Sequence, residues 1–331
     1  NLSISSYNGF SSVTLNSGTL DNQGFEVNIL STPYKSKKLN IDFNFNIANN
    51  INALRSISPF YPTQSGDVTT NGSYLSILQL NNPLGSFYGY KFKGVYKDAD
   101  ATIARDASGN KILSPDGTPV QTRFNYPATG YVFQPGDVQY EDVNHDGNIN
   151  YQDVVYLGNG SPKFTGGFGP TFTYKGQITL AAFFNYRLGG KIVNMAKLNT
   201  TDMSGYDNQS TAVLRRWRQP GDVTDIPRAS MATGTALNFN SLGSDKYVED
   251  GTYLRLNSIT ARYTFNKALA SRIKAKSLSL YFTAQNILTF TRYTGQDPEV
   301  SVKGNNIYQL VQDNATTPPS KQYTIGLSAS F

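Results

Sequence analysis

The stretch 39–47 constrains the fold more than any other part of the chain. Leu39, Ile41, Phe43, Phe45 and Ile47 alternate without a break with Asn40, Asp42, Asn44 and Asn46. Successive side chains of an extended strand point to opposite faces, so this alternation gives a strand with one greasy and one strongly polar face. Such a strand separates two solvents. The pattern recurs in 24–32 (Phe25, Val27, Ile29), 163–174 (Phe164, Phe168, Phe172, Tyr174) and 177–187 (Ile178, Leu180, Ala182, Phe184, Tyr186). It returns in 252–265 (Ile259, Ala261, Tyr263, Phe265), 277–290 (Leu278, Leu280, Phe282, Ala284) and 322–331 (Tyr323, Ile325, Leu327, Ala329, Phe331). In 252–265 the odd-numbered row continues into Arg255 and Asn257, which predicts that this end rises above the hydrocarbon.

The connections are very unequal. Short ones fall at 33–38, 175–176 and 266–276, and long ones at 49–162, 188–251 and 291–320. Structureless loops of that length argue against strands in a compact soluble domain. In a transmembrane antiparallel β-barrel the alternation of short periplasmic turns and long extracellular loops is expected. Tracing the chain back from its final descending strand places every short turn on the periplasmic side and all of 49–162 outside. Residues 1–23, rich in Ser, Asn and Gly, read as loop. Seven strands cannot close alone, because open edges leave unpaired backbone groups in lipid. With no signal peptide at Asn1-Leu2-Ser3, the chain reads as a fragment that needs further strands.

Composition agrees. Of 331 residues, 38% are hydrophobic but 13% are aromatic, with 22 Tyr and 19 Phe, which suits strands better than a helical bundle. No run approaches the ~18 apolar residues of a membrane helix. The chain has no cysteine, excluding disulfides, thiolate metal sites and a cysteine nucleophile. The net charge of +6 is scattered, without a basic block interleaved with aromatics, so nucleic acid is not an expected partner.

Several longer motifs occur in a fixed order: NSGTLDNQGFEV at 16–27, NNPLGSFYGYKFKGVY at 81–96 and PGDVQYEDVNHDGNINYQDVVYLGNGSPKFTGGF at 135–168. RRWRQPGDVTDIPRAS at 215–230, VEDGTYLRLNSITARYTF at 248–265, LYFTAQNILTFTRYTGQDPEV at 280–300 and YTIGLSASF at 323–331 follow. In these the chain resembles the C-terminal part of SusC-like (RagA-like) TonB-dependent transporters of the Bacteroidota outer membrane. The resemblance implies the last seven strands of a 22-stranded, plugged outer-membrane barrel. It also implies import of an oligosaccharide or peptide powered by the TonB complex, with a SusD-like surface lipoprotein as lid. The plug and TonB box lie outside this sequence. Two rival readings are a passive porin or structural surface anchor, and a barrel enzyme with a site in its loops; the expectation is no enzyme.

The segment 142–153 has the spacing of an EF-hand loop. Oxygen side chains fall at Asp142, Asn144, Asp146, Asn150 and Asp153, Asn148 supplies the carbonyl position, and Gly147 makes the sharp turn. This predicts a structural Ca2+ site, Mg2+ being the less favoured ion; Asp153 in place of Glu weakens it. The competing reading is an Asx/Gly turn without metal. His145, the only histidine, reads as a solvated loop residue, and Glu249 and Asp250 as solvated loop charges. The glycine-rich stretch 158–169 lacks the Lys-Ser ending of a phosphate loop and reads as a barrel strand. Phe87, Tyr88, Tyr90, Arg215, Arg216 and Trp217 are candidate substrate contacts, weighed against loop packing or lipoprotein contact. Phe331 resembles the terminal assembly signal of outer-membrane barrels, or is a lipid-facing girdle aromatic.

Overall fold

The computed structural model describes the chain except for residues 1, 4, 6, 8, 10–11, 14–15, 17, 60–62, 67, 69–71, 125–129, 231–238 and 300–310. The central part of the predicted 291–320 loop therefore lies outside the described residues. Seven strands form one antiparallel sheet: β1 Gly18–Lys35, β2 Leu39–Ile57, β3 Phe164–Tyr174, β4 Ile178–Leu188, β5 Tyr253–Thr264, β6 Ser277–Thr291 and β7 Gln322–Ser330. Each pairs with its neighbour in sequence, from β1 at one edge to β7 at the other. All short connections fall at one end, and Lys175-Gly176 turns β3 into β4 with both residues at positive φ.

Register turns the alternation into continuous bands. Ile41, Phe172, Leu180, Ala261, Phe282 and Ile325 are successive cross-strand partners across β2 to β7. One layer away run Leu39, Tyr174, Ile178, Tyr263, Leu280 and Leu327. These rings stand open, with Leu280 44%, Ile325 75% and Leu327 67% exposed. Exposed apolar area on this scale is stable only where the surrounding solvent is hydrocarbon. The opposite face carries Asp42, Thr171, Ala181, Thr260, Thr283 and Thr324, again in register. The sheet is a wall between lipid and a polar lumen.

Three expectations are corrected. β1 begins at Gly18, inside the segment read as loop, and β2 continues to Ile57 rather than stopping at 48. The 49–162 insert therefore leaves the wall only after Ile57, because Asn49, Asn50 and Asn52 hide the alternation while their backbone stays paired. Arg255 does not continue the outward row. A bulge at Asn257 sets Leu256 against Phe184 and Leu288 while Ser258 faces Phe183 and Gln285. One extra residue reverses parity above it, so Leu254 and Leu256 join the lipid face and Arg255 turns inward. Of the glycines of 158–169, Gly166, Gly167 and Gly169 prove to be seats for aromatic rings. A Cβ on Gly166 would lie 2.6 Å from the Tyr186 hydroxyl, which crosses β3 to donate to the Asn46 carbonyl at 3.0 Å.

The main hydrophobic core lies in the long connections. Val68, Leu75, Tyr90, Phe124, Phe133, Val138, Tyr140 and Ile149 pack with Phe239 and Leu242 from the 188–251 connection. Small sheets frame this core: 64–65, 75–77, 86–89 and 155–159 form one, and 92–95 with 138–140 another. What the sequence presents as two loops is one folded module above the barrel. A further sheet, Lys191–Asn194 with 248–250 and 312–313, ties the third long connection to the second.

Candidate functional site

The module and the lumen wall below it hold the polar groups able to meet a solute. Its centre is Asp137, a fully buried carboxylate. It accepts from Arg228 Nε at 2.8 Å, the Tyr131 hydroxyl at 2.7 Å, Gln134 N at 2.9 Å and Asn240 Nδ2 at 3.3 Å. Arg228 and Asn240 belong to the second long connection and the others to the first, so one carboxylate joins the two. Asn240 Oδ1 also accepts Val138 N at 2.8 Å, and Phe239 stacks on Tyr131 with ring centroids 4.5 Å apart. Sequence gave no sign of this joint. The P-G-D and I-P-R motifs that carry it are visible only as loop chemistry.

The predicted aromatic contacts are mostly core. Phe87 and Tyr90 are fully buried and Tyr88 nearly so, with edge-on partners in Tyr74, Phe124 and Tyr156. Loop packing, not solute contact, accounts for all three; exposed Tyr156 is the ring that covers Tyr88. Trp217 is half-buried, donates Nε1–H to the Lys97 carbonyl at 3.1 Å and lies flat on Gly136. A Cβ on Gly136, whose φ is +90°, would sit 2.5 Å from the Trp217 ring, so no other residue fits. Arg215 is exposed and grips Asp225 with two hydrogen bonds of 2.8 and 3.0 Å. That grip holds the Asp225 carboxyl below its ordinary range, although partial burial opposes it. Arg216 is half-buried and forms no ion pair among the described residues. The structure thus sets Arg215 and Trp217 on one hairpin and leaves Phe87, Tyr88 and Tyr90 beneath the surface.

Glu249 is not a free loop charge. It takes Thr294 N and the Thr294 hydroxyl, each at 2.7 Å, and pairs with Lys197 at 3.2 Å. Burial raises its affinity for a proton, but the bonds from Thr294 and Lys197 outweigh this and leave it below its ordinary value. His145 is exposed, in a left-handed conformation and within electrostatic reach of Asp106.

Residues 142–153 form one wound loop. Asp142 accepts Gly147 N at 2.7 Å and Asp146 N at 3.2 Å, Asn144 shares Asp146 N, and Asp146 accepts Asn148 N at 2.7 Å. Asp153, fully buried, accepts Val143 N and Asn150 N, both at 2.8 Å, while Asn150 Oδ1 accepts Gln152 N. Burial, with Asp142 and Asp146 nearby, raises the proton affinity of Asp153. None of these carboxylates forms an ion pair among the described residues, nor do three acidic side chains converge closely enough to hold a metal by themselves. Any cation here draws on Asn144 and backbone carbonyls as well.

Lys246 has the most perturbed amine of the module. It lies over the Phe92 ring at 4.8 Å and donates to the Asp225 carbonyl at 2.8 Å. Burial, followed by Lys197 and Arg215, lowers its pKa from 10.5 to about 8, against the pull of Asp225. Between about pH 8 and 10.5 the unfolded chain holds a proton that the folded module does not. Stability therefore rises with pH across that window, and the cost of burying the charge is present in full below it. Lys246→Met is expected to relieve on the order of 2–3 kcal/mol at neutral pH. Its module should resist proteolysis longer than the wild type at pH 7, with the difference gone by pH 10.5.

At the lumen wall, Arg255 is 3% exposed and reaches both Asp297 and Glu299, the latter at 2.8 Å. Tyr253 and Asn185 also hydrogen-bond Glu299. The third long connection is thereby pinned to the inside of β4 and β5.

This architecture has known counterparts. No family model matches the chain. Over 98% of its length it is 27% identical to TonB-dependent receptor P3 of Formosa agariphila, covering 30% of that protein. TonB-dependent receptor P39 of the same organism is 28% identical over the whole chain, and TonB-dependent receptor SusC of Bacteroides thetaiotaomicron 21% identical over 96%. The chain spans about a third of the length of these relatives. A solved structure of the RagAB peptide transporter superposes on all of it with a TM-score of 0.69 at 21% identity, using 31% of that chain. In sequence and fold the chain is similar to the SusC-like TonB-dependent transporters. Its seven strands are part of a transmembrane barrel of that type, and the folded module is built from the connections at one end of it. The relatives are named as receptors and transporters, none as an enzyme.

Proposed function

We infer that the SusC-like barrel to which this chain contributes imports a nutrient, an oligosaccharide or a peptide, across the bacterial outer membrane. Energy comes from the TonB complex through parts of the protein outside this sequence, and a SusD-like lipoprotein covers the module from outside. The observation that carries the reading is the joining of the long connections into one packed body over a polar lumen. A passive pore is served by short, independent loops, whereas a gated importer needs a rigid roof against which a lid can seat. Kinship with proteins named SusC and RagAB supports the same view.

The test is uptake of labelled oligopeptides and oligosaccharides by cells carrying the full-length protein, with and without TonB. Accumulation of one class that collapses without TonB is the expected result. Uptake unchanged by loss of TonB would overturn the reading in favour of a passive pore.

The wound loop fits a hard cation, since its donors are all oxygen and its carboxylates lack cationic partners. Asp142, Asn144, Asp146 and Asp153 would hold Ca2+ with the carbonyl of Asn148, and Asn150 would act through water. Mg2+, which demands a tighter octahedron, suits the loop less. The ion would brace the module through Ile149, which is fully buried in its core. Free Ca2+ at about 100 times its dissociation constant should stabilise the module by ~2.7 kcal/mol. Calorimetry of the full-length protein should show this shift, and Asp142→Ala should abolish it; equal shifts in both proteins would remove the ion from the loop.

A further inference from the structure

The outer face of the wall carries a feature that neither transport nor module packing uses. Where β4, β5 and β6 leave the membrane on the module side, a cavity of about 470 Å³ opens between Leu188, Leu254 and Phe290 below and Asp250, Thr252, Thr291 and Arg292 above. The three apolar residues stand on the lipid side, continuing the row in which Tyr186, Leu254 and Phe290 are cross-strand partners. Leu188 is 41% and Phe290 59% exposed. The polar rim is largely paired within itself, Thr291 donating to the Thr252 carbonyl at 2.7 Å and Thr252 to Asp250 at 2.8 Å. Arg292 on the rim forms no ion pair among the described residues, and Lys191, beside the rim as the cross-strand partner of Asp250, also lies within electrostatic reach of that carboxylate, two positive charges against one. Both side chains are exposed.

A greasy slot capped by a net cationic rim, facing lipid at the membrane boundary, is complementary to one kind of molecule. We propose that this cavity is a binding site for a phosphate-bearing lipid of net negative charge in the outer leaflet. An acyl chain lies along Leu188, Leu254 and Phe290, and the phosphate is held by Arg292 with Lys191. A zwitterionic lipid would fill the slot without neutralising the rim. A free anion would meet the rim but forgo the slot, at ~0.8 kcal/mol for each methylene left in water. The position matters for the barrel. Tyr253 at the top of β5 lines the same cavity and hydrogen-bonds Glu299 on the lumen side. A lipid seated here therefore braces the strand that carries Arg255.

The experiment uses the full-length transporter reconstituted in nanodiscs of phosphatidylcholine, with or without lipid A, and native mass spectrometry of the protein released from them. Wild type should retain lipid A, and Arg292→Gln combined with Lys191→Gln should lower that retention about tenfold, with heat-modifiable migration unchanged. Phe290→Ser, a substitution at an exposed position, should lower it as well and serves if the double variant fails to assemble. Equal retention of phosphatidylcholine, displacement of lipid A by millimolar inorganic phosphate, or retention untouched in all variants would each overturn the proposal.

Discussion

Asp137→Ala is expected to separate the two halves of the folded module at a cost of about 3–5 kcal/mol, the size expected when one partner of a buried ion pair is removed. The loss does not come mainly from the missing bonds. It comes from leaving the Arg228 guanidinium, the Tyr131 hydroxyl and Gln134 N around a site that water cannot easily fill. Neutral hydrogen bonds contribute ~1 kcal/mol each, so the stranded charge dominates. Asp137→Asn keeps the shape and one of the two acceptor oxygens, and the Tyr131 hydroxyl can turn to accept from the new amide, so it should cost less. The barrel wall is hydrogen-bonded independently of this joint, so the variant should still reach the membrane and migrate as a folded barrel. Hydrogen exchange of the full-length protein reads the effect directly. Protection should fall in 131–140 and 239–242 together, and solute uptake should fall with it. A uniform loss across β3 to β6 would mean that module and wall are one cooperative unit, contrary to this account.

The wall was legible in the sequence and the module was not, for a physical reason. In a barrel each residue meets lipid or lumen, so the two solvents write their difference at every second position, and Ile41, Phe172, Leu180 and Phe282 could be aligned without a structure. The module has a single core assembled from segments far apart in sequence. Phe124 and Phe239 touch with centroids 4.7 Å apart, yet nothing in either segment names the other. The same gap misdirected the candidate site. Aromatic residues in a connection suggest solute contact only while the connection is taken to lack a core, and Phe87 and Tyr90 fill one. Trp217 and Arg215 were rightly placed side by side, but the glycine on which Trp217 rests is 81 positions away. At 142–153 the winding of the loop is local, because each Asx side chain bonds backbone only a few residues distant.

Inserting one serine beside Asn257 is expected to cancel the parity change that the bulge makes, and the size of the effect separates two explanations for the bulge. With one of the two extra residues taken back into the ladder, everything above it in β5 turns over. Leu254 and Leu256 face the lumen and Arg255 faces outward, beside the lipid-facing Phe290 and Leu288. An arginine outside the barrel costs ~2–4 kcal/mol at the bilayer midplane but only ~0–1 near the interface. Arg255 is two residues from the top of β5, so lipid exposure is the smaller loss. The larger is the stranding of Asp297 and Glu299, about 3–5 kcal/mol if they remain in place. Arg255→Leu strands the same carboxylates without turning the strand. The two variants should therefore free the 292–299 segment to nearly the same extent, with the insertion worse by no more than ~1 kcal/mol. Hydrogen exchange over that segment and the temperature at which the barrel unfolds in detergent measure the two quantities. An insertion variant that retains wild-type protection at 292–299 would show that the ion pairs do not hold the connection. An insertion much worse than Arg255→Leu would assign the bulge to the lipid face instead.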